Sequence, residues 1–539
     1  MEFNRLVRNK SMAKNLEILL QGLDVLEIRG DLQTQVNGLA YDSRQIGDGD
    51  LFVAIRGTRQ DGNQFVGDAV RRGARVVVVE SLPEDSGCAT FVKVPDCRNA
   101  LARMAANYYE HPSRDIQLIG VTGTNGKTTT TLLIESILQK GGASVGVLGT
   151  LGYRWGSKRK DAPMTTPESL DLQRFFYEMR QDGVSHVVME VSSHALALGR
   201  VDGCVFRAGV FTNLSQDHLD FHSTMEDYFA AKAILFRDPS LSCGENFVAV
   251  INGDDPFGVR FLENPPQNGL WSYSALHKDA RVWVKDVTLS PAGIHAELST
   301  PLGNFRIRSH LIGRLNLYNL LCAATTALAL GYSKEAVADG LEAVSHVDGR
   351  LQRVPVPRER GYEVVVDYAH TPDAMEKSLN CLREMTRGRL WVVFGCGGDR
   401  DRTKRPLMGE VAAQVGDLVV ITSDNPRSEV PESIIEQIEP GVRSVGLPCL
   451  TGRDFARAEK GYMIEPDRKA AIELALSRAE PGDVIFIGGK GHETYQIIGG
   501  KVHAFDDRSV VHNYFKTRGE DPPEDRKARE NGLDSRKTR

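Results

Sequence analysis

The stretch IQLIGVTGTNGKTTTTLLIESILQK, residues 116 to 140, constrains the fold more than any other part of the chain. IQLIGVTG reads as an apolar strand, TNG as a turn, and KTTTTLLIESILQK as an amphipathic helix that offers Leu132, Leu133, Ile134, Ile137 and Leu138 for packing. A strand that turns through glycine directly into a helix brings backbone N–H groups and the positive end of the helix dipole to one point, where a phosphate can sit. Lys127 adds a fixed charge for the β and γ phosphates, and the Thr128 hydroxyl is placed to bind Mg²⁺. The common phosphate-loop spacing would require glycine at Val121. Its absence means a loop of another length.

Short β-branched runs recur on either side of this unit. ARVVVV (74–79), SHVVMEV (185–191), AGVFTNL (208–214) and NFVAVIN (246–252) alternate with helical stretches, as in a parallel sheet buried on both faces. A second set, YEVVVDYAH (362–370), RLWVVFGCGG (389–398), DLVVITSDNPR (417–427) and DVIFIGGKGHE (483–493), ends each strand in a polar or glycine-rich tip. That describes another small, Rossmann-like α/β domain whose strand C-termini carry function. The alanine-rich helical region from Gly313 closes the middle part near residue 345, and HPSRDIQ (111–117) marks an earlier boundary. The expectation is an α/β chain of three domains, 1–113, 114–345 and 346–516, with a disordered tail at 517–539.

With 41% apolar and 25% charged residues the chain belongs with globular proteins, and a formal net charge of −5 gives no reason to expect nucleic acid as a partner. Cys88, Cys97, Cys204, Cys243, Cys322, Cys381, Cys396 and Cys449 have neither CxxC nor metal-ligand spacing and read as reduced thiols. No apolar run approaches the ~18 residues of a spanning helix, so no membrane insertion is expected and the cytoplasm is the expected location.

GTNGKTTT is the form this loop takes in the Mur ligase superfamily, which the chain resembles over about residues 25 to 515. EVSSHAL (190–196), FTNLSQDHLDFH (211–222), GRLNLYN (313–319), DYAHTPD (367–373) and GGDRDRTKRPLM (397–408) follow in the family's order. Within the superfamily it is most similar to the members that add the third residue of the peptidoglycan stem peptide. The resemblance implies a central ATP-binding domain, an N-terminal domain for the UDP-sugar and a C-terminal domain for the incoming amino acid. It implies an ATP-dependent amide ligase that phosphorylates the D-glutamate carboxylate of UDP-MurNAc-L-Ala-D-Glu and lets an amine displace the phosphate. Magnesium is the implied cofactor and a monomer the implied state.

The residues carried over by the resemblance fall in four groups. Gly123, Thr124, Asn125, Gly126, Lys127, Thr128 and Thr129 would hold the ATP phosphates, and Asn316, Asn319, Arg350 and Asp367 its adenine, γ-phosphate and ribose. Thr128, Glu190, His218 and Lys232 match magnesium positions, Lys232 as a carbamate; Lys127, Glu190, His218 and Lys232 are the expected catalytic set. Tyr41, Ser43, Thr58, Arg59, Gln60, Thr165, Thr166, Ser192 and Arg200 would contact the UDP substrate, while Leu198 stands where some relatives carry glutamine. A nucleotide held from two domains implies closure on binding and exclusion of water from the acyl phosphate.

Arg400, Asp424, Asn425, Pro426, Arg427, Gly489 and Glu493 match amino-acid contacts. Asp-Asn-Pro-Arg at 424–427 resembles the meso-diaminopimelate-adding type, because a guanidinium can pair bidentately with the distal carboxylate that lysine lacks. The same ligase using lysine or another diamino acid is the nearest alternative. Folylpolyglutamate synthetase shares the loop, but DNPR and the N-terminal DSR and GDLFVA segments argue against it. A non-catalytic nucleotide-binding module is the alternative of another class.

Overall fold

A computed structural model describes residues 13–57, 60–84, 89–219, 221–266, 269–451, 454 and 458–520. The chain divides into two compact units. The first comprises Met1–Leu214, His218–Val282 and Cys322–Val337, and the second Ser215–Asp217, Trp283–Leu321 and Ala338–Arg539.

Among the described residues the first unit contains two main sheets and a two-stranded ribbon of Lys14–Asn15 with Gln35–Val36. In the larger, parallel neighbours run in the order Val145–Gly149, His186–Glu190, Gln117–Thr122, Ala208–Phe211, Val248–Asn252 and Leu270–Ser274. An antiparallel hairpin, Gly152–Trp155 and Lys158–Lys160, extends its outer edge. The phosphate-loop strand is therefore flanked by the strands of Glu190 and Phe211, and Val121 pairs with both Glu190 and Val210. Leu118, Ile119 and Val121 are fully buried, as a parallel strand covered on both faces demands, each contributing roughly 1.5–3 kcal/mol through burial. The smaller sheet joins Glu27–Arg29, Thr90–Lys93, Val76–Val79, Leu51–Val53 and Leu39–Ala40, with the first strand antiparallel and the others parallel. Apolar clusters cover both of its faces, one of them including Leu170.

The second unit is built on a sheet in the order Gln352–Val354, Glu363–Asp367, Val484–Gly488, Leu390–Phe394, Leu418–Ile421 and Gly461–Ile464. All neighbours are parallel except the first strand. The four strands expected from apolar runs are the central four, and the two added strands lie at the edges. Val365, Val392, Val419 and Phe486 face one apolar cluster, while Val364, Val366, Trp391, Val393, Leu418, Val420, Ile485 and Ile487 face the other, which is the period-two alternation of a sheet packed on both sides. An antiparallel meander of Val282–Ser290, Gly293–Ser299 and Phe305–Ser309 is largely half-exposed and has no long apolar run, so its sequence carries no signal of a buried strand.

The alanine-rich region forms two helices, Gly313–Ala329 and Lys334–Ala343. The helix Asp507–Lys516 starts on the side-chain cap of Asp506. Order continues past residue 517: the Glu520 carboxylate accepts from Arg360 Nε at 2.8 Å and Nη2 at 2.6 Å. The remainder of the expected tail lies outside the described residues. Among the described residues no helix is long and apolar enough to cross a membrane, and the seven cysteines are free.

Candidate active site

The turn before the helix Lys127–Lys140 is possible only with glycine at two places. Gly126 has φ +85° and Gly123 φ +145°, and a Cβ on Gly123 would lie 1.9 Å from Thr212 Oγ1. The turn is laced to the end of the neighbouring strand: Thr124 N donates to Asn213 O at 2.8 Å, Asn125 N to Asn213 Oδ1 at 3.0 Å, and Thr212 Oγ1 to Asn125 O at 2.7 Å. Lys127 Nζ donates to the carbonyls of Gly123 and Thr124, each at 2.8 Å, which holds its charge over the loop. Thr128 and Thr129 are buried in the first helical turn.

Glu190, at the end of the next strand and 1% exposed, is the centre of this cluster. Its carboxylate accepts from Thr128 Oγ1 at 3.0 Å, Thr150 N at 2.8 Å and Thr150 Oγ1 at 3.2 Å. Gly149 is fixed by it, since a Cβ there would meet Glu190 Oε1 at 2.4 Å. Thr150, which the sequence reading missed, comes from a segment 40 residues away, and a lone threonine after a strand carries no local signal.

Lys232 lies on the helix Met225–Arg237 and is 1% exposed. Its charge is held inside the protein: Nζ donates to Gly123 O at 3.0 Å and lies 4.5 Å from the centre of the Tyr228 ring, one turn earlier. Tyr228 OH is 3.1 Å from Thr124 Oγ1. His218 has φ +55° and packs its ring 4.9 Å from His194 and 6.0 Å from Tyr228. His194, in the short helix Ser193–Ala197 after the Glu190 strand, and Tyr228 are two unforeseen aromatic residues, the first packed on His218 and the second on the loop. Among the described residues no group of three or more His, Cys, Asp and Glu side chains forms a cage for a metal. One strand-end carboxylate beside a helix-start hydroxyl is the donor set that suits Mg²⁺, which keeps waters and takes phosphate oxygens for most of its shell.

Thr165, Thr166, Ser192 and Arg200 converge on the other side of Glu190. Thr165 Oγ1 is 3.2 Å from Thr150 Oγ1, and Thr166 Oγ1 donates to Glu190 O at 2.9 Å and accepts from Ser192 N at 3.1 Å. Ser192 caps its helix by accepting from Ala195 N, and Leu198 ends the same helix. Arg200 pairs with Glu168 at 3.0 Å, and Arg98, from the N-terminal part of the unit, pairs with the same carboxylate at 3.3 Å. Tyr41 OH donates to Asp171 at 2.7 Å; burial first, then the Asp171 charge, pushes its pKa up and keeps it neutral. Ser43 is buried with its hydroxyl 3.1 Å from Asp68. Gln60 is exposed; Thr58 and Arg59 lie outside the described residues.

In the second unit the ends of the strands Glu363–Asp367 and Val484–Gly488 meet. Asp367 accepts from Leu351 N at 2.6 Å, Ala369 N at 2.9 Å and Ser378 Oγ at 3.2 Å, and burial pushes its carboxyl up. Arg350 lies over the Tyr368 ring at 4.8 Å. Asn319 Nδ2 donates to Asn316 Oδ1 at 3.0 Å and Asn316 Nδ2 to Ile312 O at 2.9 Å, so both asparagines help to fix a helix start.

The acceptor loops form a tight knot. Asn425 Nδ2 donates to Glu493 Oε2 at 2.7 Å while its Oδ1 accepts from Ile497 N at 2.9 Å. Arg427, with φ +55°, donates from Nη1 to Gly398 O at 2.6 Å, and its N–H bonds Ile497 O at 2.9 Å. Gly489 has φ +107°, and a Cβ there would meet Asp424 Oδ2 at 2.4 Å. Pro426 O lies 1.9 Å from where a Cβ on Gly398 would be, and Arg400 is exposed beside Gly397. Burial raises the Glu493 pKa, against the opposing charge of Lys490 at 3.3 Å. Lys490, fully buried, and Arg468, whose buried ion pair with Asp507 has two 2.8 Å bonds, stand behind these loops.

Models of three family domains match the chain: the Mur ligase family catalytic domain at residues 35–109, the Mur ligase middle domain at 121–327 and the Mur ligase glutamate ligase domain at 349–491. The chain is similar to the UDP-N-acetylmuramoyl-L-alanyl-D-glutamate--2,6-diaminopimelate ligase of Geobacter metallireducens, with 47% identity over 93% of this chain and 98% of that one. A protein of the same name from Gloeobacter violaceus is 47% identical over 92% of this chain and 96% of its own. A solved structure of a ligase so named is 32% identical, covers 94% of this chain and 99% of its own, and superposes with a TM-score of 0.67. Three successive domain matches, near-complete coverage and the laced loop around Gly123 and Glu190 lead to one conclusion: the chain belongs to the Mur ligase family.

Proposed function

We propose that this chain is an ATP-dependent ligase that joins meso-2,6-diaminopimelate to the D-glutamate of UDP-MurNAc-L-Ala-D-Glu in peptidoglycan precursor synthesis. The observation that carries the reading is the knot of Asn425, Arg427 and Glu493, in a chain whose full-length relatives are named for that addition. On this reading residues 1–113 serve the UDP-sugar, 114–345 ATP and 346–516 the amino acid, in a cytoplasmic monomer.

The γ-phosphoryl group of ATP passes to an oxygen of the glutamate carboxylate and ADP leaves. The amine nitrogen then attacks the acyl carbon, phosphate departs, and the nitrogen gives up a proton. Gly123, Gly126 and Thr129 would offer N–H groups to the phosphates, Thr124 and Asn125 shape the loop through their bonds to Asn213, and Lys127 would neutralise the phosphate charge, so the reacting anions can approach. Glu190 and Thr128, with His218 and a carbamylated Lys232, would hold Mg²⁺, which supplies further charge neutralisation between phosphate and carboxylate. Asn316, Asn319, Arg350 and Asp367 are assigned to the nucleoside and γ-phosphate. Thr165, Thr166, Ser192 and Arg200 orient the substrate carboxylate; Tyr41, Ser43 and the segment with Thr58, Arg59 and Gln60 hold the uridine diphosphate end. Arg400 and Arg427 pair with the distal carboxylate of the amino acid, and Asp424 and Glu493 accept from its distal ammonium.

An amino-acid panel tests the assignment: phosphate release from ATP with UDP-MurNAc-dipeptide is expected with meso-diaminopimelate and not with L-lysine. Release with lysine at equal efficiency overturns the choice of amino acid. ATP binding without release for any acceptor overturns the ligase reading.

A further inference from the structure

Glu429, two residues beyond Arg427, ties together the two loops that carry the recognition arginines. Its carboxylate accepts from Asp399 N at 2.6 Å, from Arg405 Nη2 at 2.8 Å and Nη1 at 3.0 Å, and pairs with Arg402 at 3.2 Å. Arg405 is completely buried; its Nη1 also donates to Gln437 Oε1 at 2.9 Å and its Nη2 to Gly397 O at 3.3 Å, while Nε makes no hydrogen bond. The two loops are also cross-bonded directly: Gly398 N donates to Asn425 O at 2.9 Å, Ser428 Oγ to Asp399 Oδ1 at 2.6 Å and Arg427 Nη1 to Gly398 O at 2.6 Å. Asp399 and Arg427 both hold positive φ, +53° and +55°. Left-handed backbone at non-glycine residues persists only where its surroundings over-determine it. Here the Glu429–Arg405 pair does so from beneath, and a buried fork-to-carboxylate pair has the geometry for it.

We propose that Glu429, braced by Arg405, is a positioning residue that sets the spacing of Arg400 and Arg427 and so determines selection of an amino acid with a distal carboxylate. The proposal rests on the acceptor assignment above. Neither residue is among the acceptor contacts assigned above. A single carboxylate bonded both to the backbone of one loop and to a buried guanidinium fixes where each loop can lie, and a distal carboxylate that pairs with two guanidinium groups needs that spacing kept.

The test compares Glu429→Gln, Arg405→Lys and Arg427→Ala by KM for meso-diaminopimelate, KM for ATP, use of L-lysine and Tm. Glu429→Gln is expected to raise KM for meso-diaminopimelate about tenfold with KM for ATP within about twofold, and to narrow the preference over lysine. Arg405→Lys keeps the charge but not the fork, and is expected to act in the same direction; it carries the test if Glu429→Gln does not fold. If Arg427→Ala raises KM for the amino acid and the two brace variants do not, the brace is refuted and the acceptor assignment stands. If Arg427→Ala itself leaves that KM unchanged, the acceptor assignment fails. A lowered Tm with equal changes in both KM values would make the pair a structural tie only and overturn the proposal.

Discussion

The hydroxyl of Thr128 lies 3.0 Å from a carboxylate oxygen of Glu190, 62 residues further along the chain. One belongs to the first turn after the glycine loop and the other to the tip of the adjacent parallel strand, so sheet register alone brings them together. Glu190→Gln preserves the shape and the bond from Thr150 N while removing the charge. Turnover measured by phosphate release is expected to fall at least about 10²-fold with Tm changed by no more than about 4 °C. Retained turnover would exclude a metal-binding role.

Lys232 is buried against Gly123 O and the Tyr228 ring. Lys232→Ala is expected to reduce kcat at least about 10²-fold, and acetate or another short carboxylate to restore part of it by standing in for the carbamate. Full turnover in the variant would remove Lys232 from the metal site.

Arg427→Ala removes the guanidinium assigned to the distal carboxylate. KM for meso-diaminopimelate is expected to rise tenfold or more, in rough terms, with KM for ATP within about twofold. Equal effects on the two substrates would count against a side-chain role.

His492 is half-buried beside Tyr368, at 5.1 Å between rings, and its Nδ1 is buried and makes no hydrogen bond. Burial, then the charges of Arg350 and Arg508, lower its pKa to about 4. The unfolded chain, with an ordinary histidine pKa near 6.5, therefore binds more protons than the folded one between about pH 4 and 6.5. The neutral ring's contribution is complete above pH 6.5 and is lost as pH falls towards about 4, by about 2–3 kcal/mol after allowance for partial exposure. Urea midpoints across this range should show a smaller decline for His492→Gln than for the parent chain. Parallel declines would mean that His492 does not stay neutral.

Much of the fold is legible from the residues. The runs at 117–122, 186–190, 208–211 and 248–252 form neighbouring parallel strands because uninterrupted apolar β-branched segments can only be buried on both faces. The meander 282–309 was not legible, since its alternating, half-exposed residues resemble loop composition as much as strand. Of the site, Lys127 and Thr128 follow from the glycine turn and the helix start. Glu190, His218 and Lys232 came through family resemblance and have no local pattern of their own.

What the sequence determined by itself is the class of loop, the parallel α/β sheets and the family, because each is written in residues adjacent or regularly spaced along the chain. Tertiary structure alone decided that Thr150 bonds Glu190, that His194 packs on His218, and that Glu429 and Arg405 bind two loops into one body. Those contacts join residues 24 to 40 positions apart through strand register and loop crossing. Hydrogen bonds and ion pairs of that kind depend on distances in space, which local composition does not encode.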